Sequence, residues 1–207
     1  MRRILAVIGA TLVYYVSLAL IKVITLCVLR MEVQGLSNIP RKGAVMLASK
    51  HSREMDILVL GVLTGRWIHF VAKKELYEIW GLGPWMKVVQ AIPIDRDKID
   101  RTALEQVAAA LERGGVIGLF PEGTRMNSPL EIGETHHLFG LMATKGAPCC
   151  VVPIGIVYDD HFFPWKVRVV CGEPIAVQPD TKPKALADTV HSKMVVALNA
   201  AIEALNE

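Results

Sequence analysis

A chain of 207 residues is long enough for one domain with a full core and short for two. Its 52% apolar content and mean hydropathy of +0.38 exceed what a purely soluble domain needs, so a membrane contribution is expected. Four cysteines without a CxxC pair argue against a zinc site or a disulfide framework, and a net charge of +3 without a dense Lys/Arg run argues against nucleic acid.

The charge is unevenly spread. Residues 1–40 carry four Lys/Arg against one acid, residues 41–101 eleven against seven, and residues 102–207 eight against twelve. The basic part adjoins the apolar N-terminus, which suits an anionic lipid surface or a phosphorylated substrate, although a mixed solvated surface reads the same way. Arg2 and Arg3 precede an apolar run over residues 4–29 broken only by Lys22. The run is too long for a signal-peptide core and lacks a small-residue cleavage pattern, so residues 1–30 are expected to remain as a membrane-anchoring helical segment. Its uninterrupted part, residues 4–21, is at the lower edge of what spans a bilayer. Thr11, Tyr15, Lys22 and Thr25 form a polar stripe at helical spacing, so spanning, re-entrant and interfacial placements all stay open.

From residue 31 the sequence turns globular, with turn signals at Gly35-Leu36-Ser37-Asn38 and Pro40-Arg41-Lys42-Gly43. A strand over 44–48 and a helix over 55–63 follow; 68–72 reads as a strand, 73–80 as a short helix and 92–94 as a short strand. Residues 100–113 carry the clearest helical pattern. Leu104, Val107, Ala108 and Leu111 share one face, Asp100 is placed to cap the start, and Gly114-Gly115 ends it. A continuous apolar strand over 116–120 is of the fully buried type. A helix over 135–145, strands over 149–157 and 167–171, and a closing helix over 185–205 complete the chain. Strands alternating with helices predict an α/β domain over residues 31–207, with a largely parallel or mixed sheet flanked by helices.

Two stretches carry chemistry. In Lys50-His51-Ser52-Arg53-Glu54-Met55-Asp56, an imidazole and a carboxylate stand five positions apart between a strand and a helix. On a continuous helix they would point about 140° apart, so their meeting requires a turn between them. A carboxylate bonded to one ring nitrogen leaves the other free to accept a proton, which is how a general base is built. Each residue also has an ordinary explanation, His51 as a strand-end residue and Asp56 as an acid favoured by the helix dipole. The second stretch, Phe120-Pro121-Glu122-Gly123-Thr124-Arg125, follows the buried strand at the edge where open α/β sheets bind ligands. Gly123 permits close backbone approach, and Arg125 offers a fork that suits a phosphate. Glu122 is placed to hold that guanidinium or to accept from a substrate hydroxyl; a plain loop salt bridge is the alternative. Ser52 adjoins His51 without a nucleophile elbow around it and reads as structural. The remaining histidines lack ligand-like spacing, so no metal is expected. Trp67, Trp80 and Trp85 suit either a membrane interface or the core.

Together these residues resemble the glycerolipid acyltransferase family, marked by His-x4-Asp, here His51 to Asp56, and by Phe-Pro-Glu-Gly-Thr-Arg, here Phe120 to Arg125. Between them Lys73-Lys74-Glu75-Leu76, Gly83 and Ile94-Asp95-Arg96 match the family's second block, and Val152-Pro153-Ile154 looks like its last. The departures are Lys50 where Asn is usual, Trp80 in place of Pro, and Gly133-Glu134-Thr135-His136-His137 where a Lys-Gly pair generally opens the next helix. The resemblance implies transfer of a fatty acyl group from acyl-CoA or acyl carrier protein to the free hydroxyl of a lysophospholipid, 1-acylglycerol-3-phosphate foremost. It implies His51 and Asp56 as the catalytic pair, with Lys73, Arg96, Glu122, Gly123, Thr124 and Arg125 binding substrate. No cofactor is implied, and the protein would sit at a membrane lipid surface with its active site on the cytoplasmic face. An acyltransferase for another lysolipid, a thioesterase and a non-catalytic lipid-binding membrane protein are the rival readings.

Overall fold

The computed structural model describes residues 12, 15–17, 19–20, 22–23, 25, 27–95, 98–126, 128, 130–159 and 163–205. The described part of the N-terminal run is helical and leads into β1 (Leu29–Gln34). There follow β2 (Val45–Ser49), α1 (Met55–Leu63), β3 (Ile68–Lys73), a 3-10 turn (Lys74–Glu78), α2 (Leu82–Val88), β4 (Ile92–Ile94) and α3 (Arg101–Glu112). The second half holds β5 (Val116–Leu119), α4 (His137–Lys145), β6 (Cys149–Asp159), β7 (Trp165–Cys171), β8 (Ile175–Val177) and α5 (Pro183–Leu205).

The strands form one sheet in the order β1-β7-β6-β2-β5-β3-β4, with β8 also paired to β6. β6, β2, β5, β3 and β4 run parallel; β7 and β8 oppose β6, and β1 follows β7. The sheet is therefore mixed, with a parallel centre.

Alternation along the central strands shows why those strands are apolar throughout. In β2, Met46 and Ala48 face the cluster built on α3, α4 and α5, while Val45 and Leu47 face the cluster that contains Val59, Leu60 and Leu63 of α1. In β6, Val152, Ile154, Ile156 and Tyr158 join the α1 side, and Val151 and Val157 meet the other. A strand covered on both faces has no position left for a solvated residue. Because the central strands are parallel, their carboxyl ends all open on one edge, and the connections after β2 and β5 carry the two chemical motifs there.

The expected elements are found within a few residues, with four differences. β1 was not expected; Leu29, Met31 and Val33 alternate there with Arg30, Glu32 and Gln34, and the register with β7, Leu29 opposite Trp165 to Gln34 opposite Val170, makes it a strand. β8 and α2 were also unexpected, and residues 73–80 divide into the end of β3 and a 3-10 turn instead of one helix. Among the described residues no helix is long and apolar enough to cross a membrane. The expectation of an anchoring segment falls largely outside the described residues. The part that is described lies against the domain: the Tyr15 ring meets Trp67 edge-on at 6.4 Å, and Ser17 Oγ accepts from Trp85 Nε1 at 3.3 Å.

Helix α3 begins as expected. The Asp100 carboxylate accepts the Ala103 N–H at 3.0 Å and the Asp95 N–H at 3.0 Å. These backbone donors hold its carboxyl below the ordinary aspartate value. Asp100→Ala should cost about 1 kcal/mol in denaturant unfolding near neutral pH. A depressed carboxyl stabilises above its unfolded value and loses that effect on acidification, so the gap between wild type and Asp100→Ala should narrow below about pH 4.

Candidate active site

β2 ends at Ser49, and the chain then turns tightly into α1. The turn wraps around a carboxylate. Asp56 is completely buried; its Oδ2 accepts the backbone N–H of Ser52 at 2.7 Å and of Arg53 at 2.8 Å, and lies 3.1 Å from Nδ1 of His51. Its Oδ1 accepts the Tyr158 hydroxyl at 2.7 Å. The turn that the five-residue spacing demands is thus built from hydrogen bonds to the residue at its far end. Ser52 contributes through its backbone, consistent with a structural part. An ionised carboxylate only accepts, so this contact calls for the proton on Nδ1 and leaves Nε2 of the neutral ring as an acceptor.

Two aromatic residues complete the setting. The His51 ring stacks on Phe120, centroids 3.9 Å apart and planes 15° from parallel, and keeps 15% of its side-chain surface open. Tyr158 ends the α1-facing row of β6, and Arg53 lies over its ring at 4.8 Å. Burial, with the Asp56 charge beside it, pushes the Tyr158 phenol far above its ordinary value, so it stays a donor.

Glu122 is 3% exposed and holds backbone instead of a guanidinium. Its Oε2 accepts the His51 N–H at 2.8 Å, and its Oε1 accepts the Gly133 N–H at 2.9 Å. Burial raises its carboxyl above the ordinary value, opposed by these two donors and by the charges of Lys50 and His51. Lys50, next to His51, is also fully buried. Its Nζ donates to the Ser128 carbonyl at 2.9 Å and to that of Glu131, and burial pulls its ammonium below the ordinary lysine value. Met126 N–H donates to the His51 carbonyl at 2.9 Å. Just past the end of β2, the neighbouring side chains of Lys50 and His51 take different partners. His51 joins Asp56, while Lys50 clamps the segment after the Phe120–Arg125 motif.

The other expected site residues are less gathered. Gly123 has a left-handed φ of +69°, and a Cβ there would meet the His136 ring at 3.1 Å, which accounts for glycine at this turn. Gly123, Thr124 and Glu122 line a cavity of about 150 Å³ with Val71, Leu119 and Phe139. Arg125 is exposed and pairs with Glu54, which corrects the first of the two roles expected for Glu122, that of holding this guanidinium. Lys73 ends β3 half exposed, 3.9 Å from Glu75. Arg96 lies outside the described residues. Sequence reasoning missed three parts of this arrangement: Tyr158, the platform role of Phe120, and Lys50. The signal for Tyr158 was a phenol at the end of a buried apolar strand, which needs a partner.

Residues 30–157 match the family model described as acyltransferase. The chain is 29% identical over 184 residues to the 1-acyl-sn-glycerol-3-phosphate acyltransferase of Bacillus subtilis, covering 85% of this chain and 84% of that protein. The protein of the same name from Pseudomonas aeruginosa is 35% identical over 175 residues, 77% of this chain and 64% of that one. Among solved structures, the 1-acyl-sn-glycerophosphate acyltransferase of Thermotoga maritima superposes with a TM-score of 0.68 at 22% identity, covering 86% of this chain and 73% of that one, a likeness of fold.

Tyr158→Phe keeps the ring and removes one donor from a carboxylate that water does not reach. Its unfolding free energy should fall by about 1–3 kcal/mol. Denaturant titration beside wild type measures this, and equal midpoints would show that the hydroxyl contributes nothing.

Proposed function

The chain belongs to the acyltransferase family, and on that premise we propose that it moves a fatty acyl group from acyl-CoA or acyl carrier protein to the free hydroxyl of 1-acylglycerol-3-phosphate, giving phosphatidic acid. The acceptor follows the printed names of its relatives. The observation that carries the mechanism is the pairing of His51 with the buried Asp56 at 3.1 Å.

In this reading Nε2 of His51 takes the proton of the acceptor hydroxyl as that oxygen attacks the thioester carbonyl. The C–O bond forms, the C–S bond breaks, and the leaving thiolate takes the proton back from the imidazolium. Asp56 stays ionised, holds the ring orientation and stabilises the transient positive charge. Glu122 acts through the backbone of His51. Arg125 binds the acceptor phosphate, which means that the phosphate takes over from Glu54, and Lys73 and Arg96 are the further cations for it. The reading needs no cofactor and no acyl-enzyme. The N-terminal apolar segment keeps the protein on the cytoplasmic face of a membrane, where the acceptor lies.

The test is a membrane-reconstituted assay with labelled acyl thioester and a panel of lysolipids. His51→Ala should lower kcat about a hundredfold to ten-thousandfold; transfer unaffected by it would remove the general base. Preference for another lysolipid would change the acceptor, and release of free fatty acid with every acceptor would make the protein a thioesterase. Separately, Arg125→Ala should raise the KM for the acceptor with kcat nearly unchanged. An unchanged KM would take Arg125 out of the phosphate site.

A further inference from the structure

The connection between β3 and α2 rises from the carboxyl edge that also carries His51, because β2, β5 and β3 run parallel. At its apex Trp80 is 98% exposed and Ile79 49%, with Leu76 below them at 37%. Such exposure at an indole is unusual, since tryptophan is highly buried on average. The apex is not a loose loop. The Gly83 N–H donates to the Ile79 carbonyl at 2.9 Å, a Cβ on Gly83 would fall 2.0 Å from the Tyr77 carbonyl oxygen, and the Tyr77 hydroxyl donates to the Ala91 carbonyl at 2.5 Å. The backbone is built to hold Ile79 and Trp80 outward.

The surroundings decide what meets them. Leu76, Leu82 and Trp85 line an apolar cavity of about 200 Å³, which Ser17 of the N-terminal helical segment also borders. That segment turns Leu12, Val16, Leu20 and Val23 outward, each more than half exposed. The N-terminal segment and this connection thus border one apolar cavity, and both carry exposed apolar side chains. Lys73, Lys74 and Lys87 flank this connection beside Glu75 and Glu78, so local charge nearly cancels and attraction to it is chiefly apolar. A protruding turn is too small for a stable dimer face, which buries about 800 Å² per partner. An indole on a rigid apex beside an apolar helix suits the boundary between headgroups and acyl chains.

We propose that Ile79 and Trp80 form a lipid-inserting wedge that seats the carboxyl edge of the sheet, with His51, on the bilayer surface. The inference rests on the lipid-acylating reading above and adds to the N-terminal segment a second contact, formed by the globular domain itself. It gives Trp80, one of the departures from the family pattern, a task that neither the core nor the catalytic pair requires of it.

Vesicles of phosphatidylcholine with brominated acyl chains test it, because bromine quenches only indoles that reach it. The full-length protein should lose tryptophan fluorescence on these vesicles, and the part attributable to Trp80, taken as the difference from Trp80→Phe, should dominate that loss. Ile79→Ser with Trp80→Ser should raise the apparent KM for lysolipid in vesicles about tenfold, while activity in detergent micelles and the unfolding midpoint stay at wild-type values. Equal quenching of wild type and Trp80→Phe would overturn the wedge, as would sedimentation showing the turn buried in a dimer that the double variant dissolves. If wild type transfers no acyl group even in micelles, the proposed reaction fails, and the quenching still decides the wedge.

Discussion

A single buried charge organises this site. Asp56 has no contact with water, and its carboxylate accepts from two backbone N–H groups of the preceding turn, from Tyr158 and from the ring of His51. A carboxylate left unpaired in such a place would cost several kcal/mol, so the folded chain is tied to the geometry that satisfies it. The donors come from the turn after β2 and from the end of β6, adjacent strands of the sheet. The imidazole position therefore depends on the register of the central strands and on the start of α1.

A second layer keeps the neighbouring connections in step. Glu122 joins the His51 backbone to Gly133, and Lys50 joins the end of β2 to the carbonyls of Ser128 and Glu131. Both are ionisable groups in low-dielectric surroundings, and both are bonded to backbone dipoles. Such groups fix one arrangement more firmly than an apolar core would, because any other leaves a polar atom unmatched. The segment after the Phe120–Arg125 motif is thus held from both sides of the imidazole. Lys50, a departure from the family pattern, has here a definite structural task.

Much of the fold was legible because its signals are local. The apolar runs of β2, β5 and β6 are covered on both faces, and α3 carries its own cap, stripe and glycine stop. β1 was hidden because its partner β7 lies more than a hundred residues away and six residues of alternation, Leu29, Met31 and Val33 against Arg30, Glu32 and Gln34, directly follow a long apolar run. The Lys74–Glu78 turn and α2 are too short for periodicity to speak. At the site, the spacing of His51 and Asp56 left each residue an ordinary explanation, and the pair became legible only together with Phe120 to Arg125 and the family resemblance that the two stretches carry. Tyr158 was not legible, since 102 residues separate it from the carboxylate it meets. Of the two roles read for Glu122, holding the nearby Arg125 is not found: burial turns the carboxylate to backbone N–H groups and leaves Arg125 to Glu54 at the surface.

The contact between Asp56 and His51 calls for a neutral ring that keeps its proton on Nδ1 and leaves Nε2 as the acceptor. Nitrogen-15 NMR of the imidazole, with the His51 resonances assigned by their loss in His51→Gln, reads this directly. The expected result is a neutral ring protonated at Nδ1, with a proton shifted downfield by its bond to the carboxylate. A neutral ring protonated mainly at Nε2 would contradict it.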